Sequence, residues 1–523
     1  MSERRGVVAA GHPLTAEAGA QVLREGGNAV DAAVCAVLTS FVCESYLTGF
    51  GAGGFMMIHA GGETTLTDFF VAAGGADGAR RTAELVPIPV YFDETPQIFN
   101  CGAASCGVPG NPAGIENVWR RWGSLPMDRL AEPGVELGRT GVRLTAGAEY
   151  FHEILHPILV ATRESAALYT PDGGQLVEGD TFHYPEMADA LERFAADGAD
   201  PFYRGEVARQ VCDWVRDRGG TLGMDDMAAY EPIQRRPVSA AFRGHELLTN
   251  PPPSSGGILI GYSLGLLERL GPNSGVEQIV AAMEAANARR SDDFHKGLHD
   301  QEYVRQFLAA DLDAVAARIQ SGEWAGGVGG AGGPDDRPDR IGSTTHIAVL
   351  DADGNCASVT CSNGTGSGVI VPGTGVHLNN MLGEEDLNPQ GFHRIPPGQR
   401  VSSMMSPTLA LRDGEVVLGL GSAGSNRIRS AILQTTVRVL EQAMDAEEAV
   451  VAGRLHFEAG TVQAEPGVAE SGLSDLERRG VPVVRWKRKN LYFGGVQAVL
   501  RDTATGELSG GGDPRRGGAV AFA

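Results

Sequence analysis

A threonine stands at position 344, where a stretch poor in apolar residues meets one rich in them. Upstream, Ser321 to Arg340 contains GGVGGAGGPDDRPD, a Gly/Pro/Asp tract with almost nothing to bury, which its composition predicts to be flexible and accessible. Ile341-Gly342-Ser343 closes that tract, and Thr344-Thr345-His346 opens an apolar run. A threonine hydroxyl is a poor nucleophile near neutral pH and needs a base within hydrogen-bond reach. Cleavage between Ser343 and Thr344 would provide one in the α-amino group of Thr344, whose ordinary pKa of about 7.7 to 8.0 suits general-base work. One residue would then hold nucleophile and base together. A strand that begins Thr-Thr is also an ordinary opening for a sheet, and these residues alone leave both readings open.

Acyl transfer further needs hydrogen-bond donors aimed at the oxyanion of a tetrahedral intermediate, and backbone amides in a glycine turn supply them without reorganisation. Gly421-Ser422-Ala423-Gly424-Ser425 offers such a turn. It could equally be a tight turn that closes the strand Val416 to Leu420.

The elements that must position these groups follow from periodicity and punctuation. Leu14 to Glu25 reads as a helix, and after a Gly-Gly-Asn break an alanine-rich helix starts at Ala29 with Asn28 as N-cap. Leu125 to Tyr230 is mostly helical and amphipathic, as in Glu186 to Ala196 and Glu206 to Arg218. Helix is also predicted over Ile258 to Leu270 and Val276 to Ala309, after the turn Pro251-Pro252-Pro253. Beyond the Gly/Pro/Asp tract the pattern becomes strand-rich. Thr345 to Leu350 and Cys356 to Ser362 flank an Asp-Gly turn and read as a hairpin, as do Thr408 to Leu411 and Val416 to Leu420. Another strand covers Gly495 to Leu500, with helix at Ile428 to Met444 and Asp475 to Arg479. The C-terminal third therefore reads as a sheet, and the first two thirds as mainly helical with fewer strands.

A chain of 523 residues, 42% hydrophobic and 21% charged, can bury a large core. The absence of an apolar h-region behind MSERRGVVAAGHPL predicts no signal peptide and a cytoplasmic location. No run is long enough to span a bilayer. Seven cysteines without a C-x-x-C pair suit free thiols in a reducing compartment. A net charge of -22 argues against nucleic-acid binding, and the cluster Arg485, Lys487, Arg488, Lys489 reads as a solvated turn.

In order and at similar spacing, TTHIAVLDADGNCASVT, PGTGVHLNN, SSMMSPTLAL and GSAGSNRI resemble the small subunit of the gamma-glutamyltranspeptidase family. GHPLTAEAGAQVLREGGNAVDAA, LTGFGAGGFMM and NPPPSSGGI extend the likeness upstream over nearly the whole chain. The resemblance implies an α+β, four-layer αββα N-terminal-nucleophile hydrolase, self-cleaved between Ser343 and Thr344. Residues 1–343 would form the large subunit and 344–523 the small one, a heterodimer of its own fragments with further association left open. Thr344 would be the nucleophile and Ser362 its hydroxyl partner, with Asn363 in the substrate pocket and Gly424 and Ser425 at the oxyanion. The implied substrate is a small-molecule amide or acyl compound, with no cofactor and no metal.

Departures from the family pattern fall where it holds the substrate's head group. Phe70, in Thr67-Asp68-Phe69-Phe70-Val71, stands where the resemblance implies a carboxylate-gripping arginine, whose bidentate fork has no aromatic substitute. Met381 replaces an acid or amide, leaving an acid near Glu384, and Ser403-Met404 replaces a Ser-Ser pair. A zwitterionic group would be poorly paired in such a pocket. The acyl unit is thus expected to differ from γ-glutamyl. Cephalosporin acylases, oxamate amidohydrolases and C–C bond hydrolases of alkylproline pathways in the same superfamily mark the range, and a non-catalytic binding homologue is the rival class.

Three other features invite a role. Gly49-Phe50-Gly51-Ala52-Gly53-Gly54 fits G-x-G-x-x-G but leads into the strand-like Phe55 to His59, which favours glycine packing over dinucleotide binding. His346 shares a strand face with Thr344 and reads as structural. Asp292-Asp293 with His295 reads as a solvated helix face, not a metal site.

Overall fold

The computed structural model describes residues 5–92, 95–309, 312–322 and 343–523. From position 323 the tract read as a linker lies outside the described residues, together with Ile341 and Gly342.

Two antiparallel sheets face each other. Among the described residues the first has seven strands, in the order Ala519–Phe522, Gly6–Ala10, Ser343–Asp351, Cys356–Gly364, Gly53–Ala60, Glu63–Phe69 and Ile233–Arg235. The second has six, in the order Leu508–Gly512, Gly495–Arg501, Glu415–Ala423, Thr408–Arg412, His245–Thr249 and Val238–Phe242. The central strand Ser343–Asp351 is buried along its whole length, which is why it reads as one apolar run and not as an alternation. Its Ile347 and Val349 pack toward a helical layer, while Ala348 and Leu350 pack between the sheets.

Helices Pro13–Arg24 and Ala29–Cys43 cover the outer face of the first sheet. Every residue of Ala29–Cys43 is buried, as expected of a helix that is apolar all round. Asn28 caps it as predicted: its Oδ1 accepts from the amides of Val30 and Asp31, and the Asp31 carboxylate takes the Asn28 amide. Helices Gly256–Leu270 and Arg427–Leu440 cover the second sheet. The four layers αββα are complete.

Two expectations are corrected. The C-terminal third does not make a sheet of its own: segments before residue 323 supply four strands of the first sheet and two of the second. Hairpin partners adjacent in sequence leave a turn signature, whereas the pairing of Gly6–Ala10 with Ser343–Asp351 leaves none. The helical stretch Val276 to Ala309 is broken into Val276–Ala288, Asp292–Gly297 and Gln301–Ala309. Ser291 restarts it by accepting the Phe294 amide, as an N-cap does.

The glycine run at 49–54 enters the strand Gly53–Ala60 directly and opens no helix, so it lacks the geometry of a dinucleotide turn. His346 is fully buried between the sheets. Its Nδ1 lies 2.8 Å from Thr360 Oγ1, and burial pushes its pKa down to about 3, so the ring is neutral. A Cβ at Gly421 would lie 2.3 Å from that ring, so the opposing strand must carry glycine there.

Candidate active site

The floor of the site is set by strand register. Thr344 pairs with Ser362 and Ser343 with Gly364, so Asn363 is the extra residue of a β-bulge. Thr344 Oγ1 donates to Ser362 Oγ at 3.1 Å. Ser362 Oγ in turn donates to the Ser343 carbonyl at 2.7 Å and accepts the Gly364 amide at 2.9 Å. A chain of two hydroxyls therefore ends on the carbonyl oxygen of the peptide bond that precedes Thr344.

Thr345 points to the other face of the strand, where its hydroxyl donates to Glu44 Oε2 at 2.6 Å and Thr15 donates to Glu44 Oε1 at 3.1 Å. Burial pushes the Glu44 carboxyl up to about 7. Glu44 terminates the Ala29–Cys43 helix and ties it to the residue after Thr344.

Across from the floor lies the turn that ends the strand Glu415–Ala423. Gly424 has φ +126° and Ser425 φ +52°, both in the region that favours glycine. Among the described residues no protein acceptor takes the amide of either. Ser425 tolerates its conformation with an anchor: its Oγ donates to Asp386 Oδ2 at 2.8 Å. The helix Arg427–Leu440 begins just beyond, so its positive end adds to the two amides.

Between floor and turn is a narrow cleft with a volume of about 40 Å³. It is lined by Thr344, Ser362 and Ser425 and, on its walls, by Phe70, Met381, Met404, Ser403 and Glu384, all singled out from sequence. Phe70 is held by stacking on Phe55, with ring centroids 5.2 Å apart. Among the described residues no Lys, Arg or His lines the cleft. Arg400, near the Ser403-Met404 wall in sequence, is turned instead to Asp68, which it shares with Arg235.

Of the expected catalytic and substrate-binding residues, Asn363 and Gly424 do not line the cleft, and Gly424 sits behind Ser425 in the turn. The bulge turns Asn363 out of the cleft, its amide donates to Leu47, and its side-chain atoms are buried with no hydrogen-bond partner. Gly364 lines the cleft in its place. Alternation from Ser362 already puts Asn363 on the opposite face and Gly364 on the same one; Asn363 was expected in the cleft only from the resemblance.

Asp386, Met405, Leu387 and Ile428 also line the cleft and were not identified from sequence. The acidic run Glu384-Glu385-Asp386 was visible, but the short 3-10 turns Met381–Gly383 and Glu385–Leu387 decide which acids face inward. Glu384 Oε1 accepts the amide of Thr365 at 3.1 Å and its hydroxyl at 3.3 Å. Burial first, and the Asp386 charge second, push the Glu384 carboxyl up to about 7.

The gamma-glutamyltranspeptidase family profile matches residues 15–523. The chain is 31% identical to the glutathione hydrolase proenzyme of Bacillus subtilis (strain 168), over 98% of this chain and 91% of that protein. It is 32% identical to the acylase ACY 1 proenzyme of Pseudomonas sp. (strain SE83), over 95% and 90%. Among solved structures, cephalosporin acylase from Bacillus halodurans aligns with a TM-score of 0.82 over 99% of this chain and 96% of that one. Its 24% identity speaks to the fold alone. The family, the fold and the hydroxyl pair at a strand start agree: the chain is an amide hydrolase or transferase of the N-terminal-nucleophile class and belongs to the gamma-glutamyltranspeptidase family.

Proposed function

We propose that this chain is a precursor that cuts itself between Ser343 and Thr344, and that the freed threonine attacks an amide whose acyl group is not γ-glutamyl. The observation that carries the first part is the hydroxyl chain from Thr344 through Ser362 to the Ser343 carbonyl. The Ser362 hydrogen bond draws charge from the carbonyl carbon that Thr344 Oγ1 must attack. Attack moves the acyl group from the Thr344 nitrogen to its oxygen, and water then hydrolyses the ester. The fragments 1–343 and 344–523 remain associated because both sheets take strands from each side of the cut.

In the mature enzyme the α-amine of Thr344 takes the proton of Oγ1 as the oxygen attacks the substrate carbonyl carbon. The oxyanion meets the amides of Gly424 and Ser425, each worth ~2.7 to 4 kcal/mol if lost. The leaving amine departs with the proton, and water, or an amine in transfer, releases the acyl group from Thr344.

The absence of a cation among the described lining residues supports the second part, because a buried carboxylate without a partner costs several kcal/mol. Relatives of similar identity are named as a glutathione hydrolase and as an acylase, so the acyl group varies within the family.

Intact-mass spectrometry of the purified protein beside Thr344→Ala tests the mechanism. Two fragments, the smaller beginning at Thr344 and absent from the variant, are expected; an uncut wild-type chain would exclude it. Efficient hydrolysis of γ-glutamyl-p-nitroanilide by the cut protein would exclude the altered acyl group.

A further inference from the structure

Every polar side chain that faces the cleft already has a partner inside the protein. Ser425 Oγ donates to Asp386, and Glu384 accepts from the amide and hydroxyl of Thr365. The Thr365 hydroxyl in turn accepts from Asn380 Nδ2 at 2.8 Å. Ser403 Oγ takes the Met405 amide at 3.0 Å, and Thr344 and Ser362 are joined in the nucleophile chain.

The acid-bearing segment 381–388 is therefore fastened on two sides. Glu384 ties it to the residues just after Ser362, and Asp386 ties it to the oxyanion turn. Bound in this way, the two acids set the spacing between floor and turn. A substrate ammonium would have to share these carboxylates with the internal donors they already hold. The raised pKa of Glu384 fits the same role, since a protonated carboxyl has little pull on a cation.

The remaining lining is apolar: Phe70, Met381, Met404, Met405, Leu387 and Ile428. Three methionines on one cleft make an unbranched, polarizable surface that adapts to irregular apolar shapes. We propose that the acyl group accepted here is neutral and apolar, an alkanoyl or arylalkanoyl unit packed on Phe70 and the methionines, with Glu384 and Asp386 as internal braces and not recognition groups. This rests on Thr344 being the nucleophile.

The test uses the full-length protein after self-cleavage and four p-nitroanilides that share a leaving group: hexanoyl, phenylacetyl, 6-aminohexanoyl and glutaryl. One of the two neutral substrates is expected to exceed both charged ones in kcat/KM by at least about tenfold. A preference for 6-aminohexanoyl or glutaryl, or no turnover of any of the four, would overturn the proposal. In Asp386→Asn, where the amide oxygen still accepts from Ser425, the ratio of hexanoyl to 6-aminohexanoyl turnover should stay within about twofold. A collapse of aminohexanoyl activity alone would make Asp386 a recognition group. An uncut chain in the mass spectrum would overturn the nucleophile and this proposal together, whereas a cut chain with the wrong preference would overturn this proposal only.

Discussion

Thr344 and Ser362 lie opposite each other on adjacent central strands, whereas Met381, Glu384 and Asp386 lie on short 3-10 turns and Met404 on an irregular segment. The two hydroxyls inherit their geometry from a hydrogen-bond ladder that many residues hold in common, so the floor tolerates little change. Each wall residue is held by one or two local bonds, such as Ser425 to Asp386, and exchanging a wall side chain leaves the ladder intact. On the proposed reading, that difference would let the floor keep the pattern implied by the resemblance while the walls carry Phe70 and methionines in place of polar groups. The reaction type would, on the same reading, reside in the sheet register and the substrate choice in the turns.

The sharpest way to break this comparison is Ser362→Ala, which removes both the donor to the Ser343 carbonyl and the acceptor of Thr344. Self-cleavage, followed by a mass-spectrometric time course, should slow by about a hundredfold, with most of the rate returned by Ser362→Thr. Normal cleavage in the alanine variant would mean that the floor does not depend on its strand-held hydroxyl.

A smaller effect is expected when a wall is changed. Phe70→Arg puts a guanidinium beside the cleft and should raise the kcat/KM ratio of glutaryl to phenylacetyl anilide by about tenfold, with self-cleavage unaffected. An unchanged ratio would separate position 70 from acyl selection.

The smallest effect lies beneath the floor, at Glu44. Its folded pKa is raised from 4.5 to about 7, so its contribution to stability is full below the unfolded value and is lost as pH rises toward 7. Glu44→Gln should therefore narrow the difference in Tm between about pH 5 and about pH 8 by roughly a few degrees. An undiminished pH dependence in the glutamine variant would assign the titration to another group.

Much of the scaffold is legible in the chain because its signals are local. Asn28 with Asp31 three residues later announces the start of a helix, and Asp-Gly between apolar runs announces the hairpin that carries both Thr344 and Ser362. The neutral role of His346 follows from its place in a strand buried on both faces. Asn363 was expected in the cleft from the resemblance, although the strand period of two from Ser362 points to Gly364 instead. Asp386 escaped notice because three acids in a row look alike until a 3-10 turn selects among them.

By itself, the sequence determined the family, the residue types available for acyl transfer, the helices with caps and the hairpins with turn residues. All of these depend on contacts between residues close along the chain or on motifs held at similar spacing. Only the tertiary structure decided that the outer segments share both sheets, which of the three consecutive acids line the cleft, and that those acids are already engaged. Those outcomes depend on which distant strands become neighbours, and hydrogen bonds between such strands are satisfied by partners that no local pattern names.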